Sequence, residues 1–291
     1  MTVAILGAGW LGEALGQTLV ARGDTVHAAT TTPAKMARLR AGGMEPFHLK
    51  VTPERIEGDG SDQFFDVEAL VVTLPPGRRD PNVLLRYGAQ IDQVIEAAAR
   101  INHVVYTSST SVYPDLAGAP RLHEEDVATV PDQISASGNA CLAAEQALTM
   151  GLDSVTVLRL GGLYGPGRTP ARYLAGRADL GGGDRPVNLV HRADVITAIR
   201  RILDTEAVGT YNLAADEHPT RREFYPAAAD ALGLEPPTFA PRCSTCSEPA
   251  WPSSPMSRSP PDPTGSDGRR LASRQGPTSS ASARVTSQLP G

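Results

Sequence analysis

Three closely spaced glycines near the N-terminus, Gly7, Gly9 and Gly12, form the spacing G-x-G-x-x-G directly after a short apolar strand and at the start of a helix. In this context Gly7 permits a tight turn, Gly9 lets the backbone approach a pyrophosphate, and Gly12 lets the helix pack closely on the sheet. The helix N-terminus offers N–H groups and a positive dipole end to an anion. The loop, which includes Trp10 and Leu11, is therefore predicted to bind a dinucleotide; a purely structural glycine turn is the alternative.

The residues after the second predicted strand bear on which dinucleotide binds. A site that prefers NAD usually carries Asp or Glu there, which bonds the ribose hydroxyls. This strand is followed instead by Thr31 and Thr32, with the cations Lys35 and Arg38 close behind. Hydroxyls and cations accept a 2′-phosphate that a carboxylate would repel, so NADP is favoured over NAD, unless the cations form only a solvated helix face. The predicted cofactor contacts are Gly7, Gly9, Trp10, Leu11, Gly12, Thr31, Thr32, Lys35, Leu74 and Pro75.

Strands and helices alternate along the body of the chain. The predicted strands are Thr2–Leu6, Thr25–Thr30, Ala69–Leu74, His103–Thr107 and Ser154–Leu160. The predicted helices are Trp10–Ala21, Ala34–Ala41, Val83–Arg100, Ile134–Met150, Arg192–Leu203 and Thr220–Leu234. This alternation predicts an α/β fold, a Rossmann-type doubly wound parallel sheet with a small C-terminal substrate lobe and a disordered tail. Ligands of such sheets bind at the carboxyl ends of the strands.

The chain changes composition at about residue 240. From there it is rich in Ser, Pro and Arg and poor in large apolar residues, so it cannot bury enough surface to offset the entropy of ordering. We therefore divide the chain into a dinucleotide-binding domain (1–160), the remaining sheet with a small substrate lobe (161–239) and a disordered tail (240–291). A basic arm for an acidic partner, or a shifted reading frame, would also explain the tail. Its pair Cys243 and Cys246 lacks further ligands, so no metal site is expected.

Composition and charge exclude several classes of protein. With 41% hydrophobic residues the chain is not expected to be wholly disordered, and a net charge of −5 argues against a nucleic-acid partner. No run approaches the roughly 20 apolar residues that a membrane helix needs, and the first residues lack the basic start of a secretory signal. Three cysteines make no disulfide framework, so a reducing, cytoplasmic setting is expected. The expected partner is a small molecule.

Four later blocks, taken in order, resemble one family. Val104–Tyr113 is similar to the fifth strand and serine loop of the extended short-chain dehydrogenases/reductases, and Leu158–Gly167 to their sixth strand and the loop after it. Asn188–Asp194 is similar to their N-x-x-H-x-x-D block, and Tyr211–Leu213 to a later strand. The chain thus resembles the NAD-dependent epimerase/dehydratase group, while its glycine spacing resembles the atypical members.

The resemblance implies where proton chemistry would lie. In the family a Tyr-x-x-x-Lys pair on one helix exchanges a proton with the substrate oxygen, and a nearby serine orients that oxygen. The sequence Leu-Ala-Ala-Glu that ends at Glu145 aligns this helix, and puts Ser137 at the tyrosine position and Cys141 at the lysine position. A serine hydroxyl is a far weaker acid than a phenol, and a cysteine cannot supply a fixed positive charge. Ser109 matches the orienting serine and is the catalytic candidate.

A replacement acid would have to come from Tyr113, Tyr164 or His191. Each also has a structural explanation. The tyrosines would pack beside the cofactor or against the core, and His191 would form a hydrogen bond near Asp194, which is expected to cap the following helix. The acidic run Glu124–Asp126 is expected to be solvated.

Two functions follow from the resemblance. The first is an NAD(P)-binding oxidoreductase or epimerase-like protein that acts on a small carbonyl, alcohol or nucleotide-sugar-like substrate without the usual pair. The second is a catalytically inactive protein that senses NAD(P) and changes a partner surface. Related folds commonly dimerise through the helix that carries Ser137 and the helix Val83–Arg100, so a homodimer is a further expectation.

Overall fold

A central sheet of seven parallel strands organises the computed structural model, which describes residues 1–77, 80–116, 121–127, 134–241 and 283–285. The strands are β1 (Thr2–Leu6), β2 (Thr25–Thr30), β3 (Glu45–His48), β4 (Lys50–Val51), β5 (Ile56–Glu57), β6 (Ala69–Val72), β7 (His103–Ser109), β8 (Val155–Leu160), β9 (Gly162–Tyr164), β10 (Leu189–His191), β11 (Gly209–Ala215) and β12 (Ala283–Val285). The main sheet has the order β12-β11-β8-β7-β6-β1-β2-β3, and within it only β12 runs antiparallel to its neighbour.

Helices cover both faces of this sheet, as predicted. They are α1 (Trp10–Arg22), α2 (Met36–Ala41), α3 (Ser61–Phe65), α4 (Val83–Ala98), α5 (Ala136–Gly151), α6 (Arg192–Thr205) and α7 (Arg221–Asp230). Alternate residues of β1 enter two separate apolar clusters. Val3 and Ile5 pack with α1 and α6, whereas Ala4 and Leu6 pack with α4 and α5. This alternation confirms the doubly wound α/β fold.

The predicted elements agree with the structure most closely around the first glycine loop. The bounds of β1 and β2 are those predicted, whereas β6 ends at Val72, two residues earlier than expected, and the helix predicted from Ala34 begins as a 3-10 turn. The short strands β3, β4, β5, β9 and β10 and the short helix α3 were not predicted. Helix α7 lies within the predicted segment, and a capping box between Thr220 and Glu223 fixes its start.

Most of the predicted tail lies outside the described residues, so its disorder stays a prediction. The exceptions are residues 240–241 and β12, which pairs antiparallel with β11. Cys243 and Cys246 lie outside the described part as well. Within the described ranges, no helix combines the length and apolar character needed to cross a membrane, and no group of three or more His, Cys, Asp or Glu side chains is placed to hold a metal ion.

A buried ion pair joins α5 to the centre of the sheet. Arg159 of β8 and Glu145 of α5 meet at 2.7 Å between Nη2 and Oε2, and their side chains are 6% and 5% exposed. The Arg159 Nε also donates to both carboxylate oxygens, and the Ser108 hydroxyl of β7 donates to Oε1 of Glu145. The pair therefore fixes α5 against two neighbouring strands.

The same arginine holds the loop after β7. Its Nη1 donates to the Glu124 carbonyl at 2.6 Å and to the Tyr113 hydroxyl at 3.0 Å. Tyr113 in turn donates to Oδ1 of Asn212 in β11, and the Asn212 N–H donates to the Glu124 carboxylate at 2.9 Å. Contrary to expectation, Glu124 is thus a half-buried structural acceptor, whereas the two acids after it are exposed.

Removing the Glu145 charge should destabilise the protein strongly, because it leaves the Arg159 guanidinium buried without a counter-charge. We expect Glu145→Gln to lower the free energy of unfolding by about 3–5 kcal/mol. Urea denaturation followed by circular dichroism measures this. The control is Glu96→Gln, an exposed carboxylate on α4, which should change stability by less than about 0.5 kcal/mol. Equal stabilities for the two variants would contradict a structural role for the pair.

Candidate functional site

The turn between β1 and α1 requires glycine at the first and last of its three glycine positions. Gly7 has φ +113°, and a Cβ placed there would lie 2.7 Å from the Thr73 hydroxyl oxygen. That hydroxyl donates to the Gly7 carbonyl at 2.6 Å. A Cβ at Gly12 would lie 2.4 Å from the same carbonyl oxygen. The packing of the protein itself therefore explains Gly7 and Gly12, in the roles predicted for them.

Gly9 differs from these two because the protein leaves space around it. Its φ is −85°, which any residue can adopt, and a Cβ there would meet no atom closer than the Gly7 carbonyl oxygen at 3.9 Å. Gly9 is also the N-cap of α1, and no side chain caps this helix. A glycine that the fold does not need, beside uncapped helix N–H groups, fits a ligand phosphate that approaches the backbone closely.

The end of β2 lies beside this loop, since the Ala8 N–H donates to the Ala29 carbonyl at 2.7 Å. Thr31 and Thr32 follow β2 and are exposed, and Lys35 is half-buried in the 3-10 turn after them. The second predicted cation behaves differently, because the Arg38 guanidinium forms an ion pair with Glu13 on α1.

A surface cavity of about 330 Å³ opens at this point. Its lining comes from three separate parts of the chain and includes Gly9, Trp10, Glu13, Gln17, Lys35, Arg38 and Arg192. Arg192 is the first residue of α6 and was not predicted as a site residue. Nothing in the local sequence signals its position, because only the tertiary packing of α6 against α1 brings it to the loop.

Trp10 connects the glycine loop to the segment after β9. Its Nε1 donates to the Pro166 carbonyl at 2.9 Å. The guanidinium carbons of Arg192 and Arg168 lie 4.6 and 5.3 Å from its ring centroid, and Nη1 of Arg192 donates to the Trp10 carbonyl at 3.1 Å. The predicted cofactor contact is thus held by cations and by the second half of the chain.

The other predicted cofactor contacts lie at the carboxyl end of β6. Leu74 is half-buried and Pro75 is exposed. The Leu74 carbonyl accepts a hydrogen bond from the Tyr87 hydroxyl at 2.7 Å, and that hydroxyl lies 3.2 Å from the hydroxyl of Tyr106. Two buried tyrosines therefore fix the backbone directly after β6, next to the glycine loop.

Ser109 is the last residue of β7, and its hydroxyl accepts one hydrogen bond within the described residues. Its oxygen accepts a hydrogen bond from the Ser111 N–H at 3.1 Å, which leaves its O–H to donate elsewhere. On α5, the Ser137 hydroxyl lies 3.1 Å from that of Ser135, the N-cap of the helix. Cys141 is 4% exposed and faces the protein interior.

The three candidate replacement acids have structural partners. Tyr113 is bonded to Arg159 and Asn212, and burial raises the pKa of its hydroxyl. The Tyr164 ring packs edge-on against His191 with centroids 5.1 Å apart, and burial also raises the pKa of Tyr164. Proton release from either tyrosine is therefore harder than from a solvated phenol.

The cap of α6 differs from expectation. Nδ1 of His191 accepts from the Ala193 N–H at 3.3 Å, so His191 is the N-cap, and Asp194 lies in the first helical turn. Burial raises the pKa of the Asp194 carboxyl. The hydrogen bond of His191 is structural, as predicted, but Asp194 does not cap the helix.

Comparison with known proteins identifies a family and relatives with a similar sequence or fold. The profile of the NAD dependent epimerase/dehydratase family matches residues 3–214. Protein YeeZ of Escherichia coli (strain K12) is 39% identical over 242 residues, which are 81% of this chain and 86% of YeeZ. A functionally unknown conserved protein from Silicibacter pomeroyi has a solved structure with a TM-score of 0.65 and 26% identity, covering 82% of this chain and 81% of that one.

A similar fold occurs in the UDP-glucose 4-epimerase of Thermus thermophilus, whose structure was solved in complex with NAD. The TM-score is 0.66 at 21% identity, covering 82% of this chain and 85% of the epimerase. At this identity the similarity concerns the fold alone.

The different roles of the loop glycines lead to a test by matched substitutions. Gly12→Ser should lower the free energy of unfolding by about 1–3 kcal/mol, because its Cβ overlaps the Gly7 carbonyl. Gly9→Ser should leave stability unchanged or raise it slightly, since serine is a favourable N-cap residue and the space is open. Thermal unfolding of both variants measures the difference. An equal loss in the two variants would contradict the distinction.

Proposed function

Because the chain belongs to the NAD dependent epimerase/dehydratase family, we propose that it is an NAD(P)-binding oxidoreductase or epimerase-like protein that works without the usual Tyr-x-x-x-Lys pair. The observation that carries this proposal is the open space around Gly9, beside the uncapped N-terminus of α1. The pyrophosphate of a nicotinamide dinucleotide would lie there, with its remaining parts extending along the carboxyl ends of the strands.

The surroundings of β2 favour NADP over NAD. No acid follows β2 directly, and the exposed Thr31 and Thr32 offer hydroxyls. Lys35 has no carboxylate within 4 Å in the described part of the chain, so its charge is available to a phosphate. The Thermus epimerase was solved with NAD, which supports dinucleotide binding in this fold but not the choice between the two cofactors.

A bound nicotinamide would supply hydride transfer. Within this chain, the O–H of Ser109 would donate to a substrate oxygen and orient it, since its only hydrogen bond in the described residues is accepted from the Ser111 N–H. The substrate would be a small carbonyl, an alcohol or a nucleotide-sugar-like compound. Ser137 and Cys141 replace the family's acid and cation, so proton transfer to that oxygen would be slow.

A catalytically inactive NAD(P) sensor is the second candidate. The burial of Cys141 favours it, because a thiol that is 4% exposed offers little surface to a cofactor ribose. In this function, dinucleotide binding would change a surface read by a partner. A homodimer through α4 and α5, which pack side by side, and a cytoplasmic setting remain further proposals.

Nucleotide titration is the direct test of the proposed function. We expect NADPH to bind more tightly than NADH by about tenfold, which corresponds to one added charge-assisted contact. Gly9→Asp should abolish binding of both, because its carboxylate enters the pyrophosphate position. Gly88→Asp adds the same charge on α4, where no atom crowds it, and should not affect binding. Calorimetry measures each case, and failure of both nucleotides to bind would overturn the proposal.

Restoring the missing pair separates the enzyme from the sensor. In Ser137→Tyr with Cys141→Lys, carbonyl reduction should rise by about 10²–10⁴-fold if the substrate site is intact. Ser137→Tyr alone is the control and should give a smaller gain, since its phenol lacks the neighbouring cation. NADPH oxidation with simple carbonyls measures the rate, after circular dichroism has shown that each variant is folded. A folded but inactive double variant favours the sensor.

A further inference from the structure

The cavity beside Gly9 is lined by three cations that come from two separate parts of the chain. Lys35, Arg38 and Arg192 are these cations, and Glu13 is the acidic residue in the lining. Glu13 forms its ion pair with Arg38, so these two charges compensate each other. Lys35 and Arg192 remain without a carboxylate within 4 Å among the described residues.

Arg192 is held in position before any ligand binds. Its Nη1 donates to the Trp10 carbonyl at 3.1 Å, and its guanidinium lies over the Trp10 ring at 4.6 Å. A guanidinium has five N–H donors, and this hydrogen bond uses only one of them. Because stacking and the hydrogen bond already restrict the side chain, a phosphate would meet a cation that loses little conformational freedom on binding.

We propose that Arg192 is a specificity-determining residue that, together with Lys35, binds the 2′-phosphate of NADP(H) in this cavity. The inference rests on the proposed function and identifies the chemical group that its cation pair recognises. A phosphomonoester carries about −1.5 to −2 charges at pH 7, which matches two uncompensated cations. The 2′-hydroxyl of NAD carries no charge, so the same cations would add little to its binding.

Arg168 provides a matched comparison within the chain. It also stacks on Trp10, with 5.3 Å between its guanidinium carbon and the ring centroid, but it is not among the residues that line the cavity. A change at Arg168 therefore alters the surroundings of Trp10 without removing a cation from the cavity. A change at Arg192 alters the surroundings of Trp10 and also removes a cation from the cavity.

The test measures binding of 2′,5′-ADP and 5′-AMP, which differ only in the 2′-phosphate, to the full chain and to Arg192→Met. We expect the variant to bind 2′,5′-ADP and NADPH about tenfold more weakly, and 5′-AMP and NADH within about twofold of the unmodified chain. Arg192→Lys should recover part of the loss, and Arg168→Met should leave the ratio of 2′,5′-ADP to 5′-AMP affinity unchanged.

Three results would overturn the inference. An unchanged affinity ratio in Arg192→Met would show that Arg192 does not contact the 2′-phosphate. An equal loss for all four nucleotides would show that Arg192 only supports the loop through Trp10. Competition by inorganic phosphate as strong as that by 2′,5′-ADP would show a site for free phosphate. If the unmodified chain binds no nucleotide at all, the proposed function fails as well.

Discussion

The charges of Arg159 and Glu145 lie inside the protein, where no solvent stabilises them, so each requires the other. Meeting this requirement sets the position of α5 against β7 and β8. Nη1 of Arg159 then holds the loop after β7, because it donates to the Tyr113 hydroxyl and to the Glu124 carbonyl. The geometry around Ser109 thus depends on this network.

The three glycines of the loop differ in whether the packing of the protein requires them. Gly7 and Gly12 are needed by the packing of α1 on the sheet, because a side chain at either would overlap the turn. Gly9 leaves open the surface that a phosphate would contact. The cations around this surface come from distant parts of the chain, so its charge is a property of the tertiary structure. The local sequence sets the conformation of the loop, whereas the tertiary structure sets the charge around it.

The fold could be predicted from the sequence because its strongest signals are local. Continuous apolar strands and helical periodicity located β1, β2 and α1 to within a residue. The sequence does not predict β3, because this strand has only four residues, includes Pro46 and buries only Phe47. Arg192 could not be identified as a site residue, since its neighbours there are set by helix packing. The burial of Cys141 could not be predicted either, because it depends on how α5 packs against the sheet.

The hydrogen bond from the Trp10 indole to the Pro166 carbonyl spans 156 positions of the chain, and the contact of Arg192 with the Trp10 carbonyl spans 182. At a synthesis rate of about 5–20 residues per second, the glycine loop is synthesised roughly 8 to 36 seconds before these partners. A nascent chain ending at residue 160 therefore has the complete loop but neither its indole acceptor nor its third cation. The site proposed at this loop is therefore complete only once residue 192 has been synthesised.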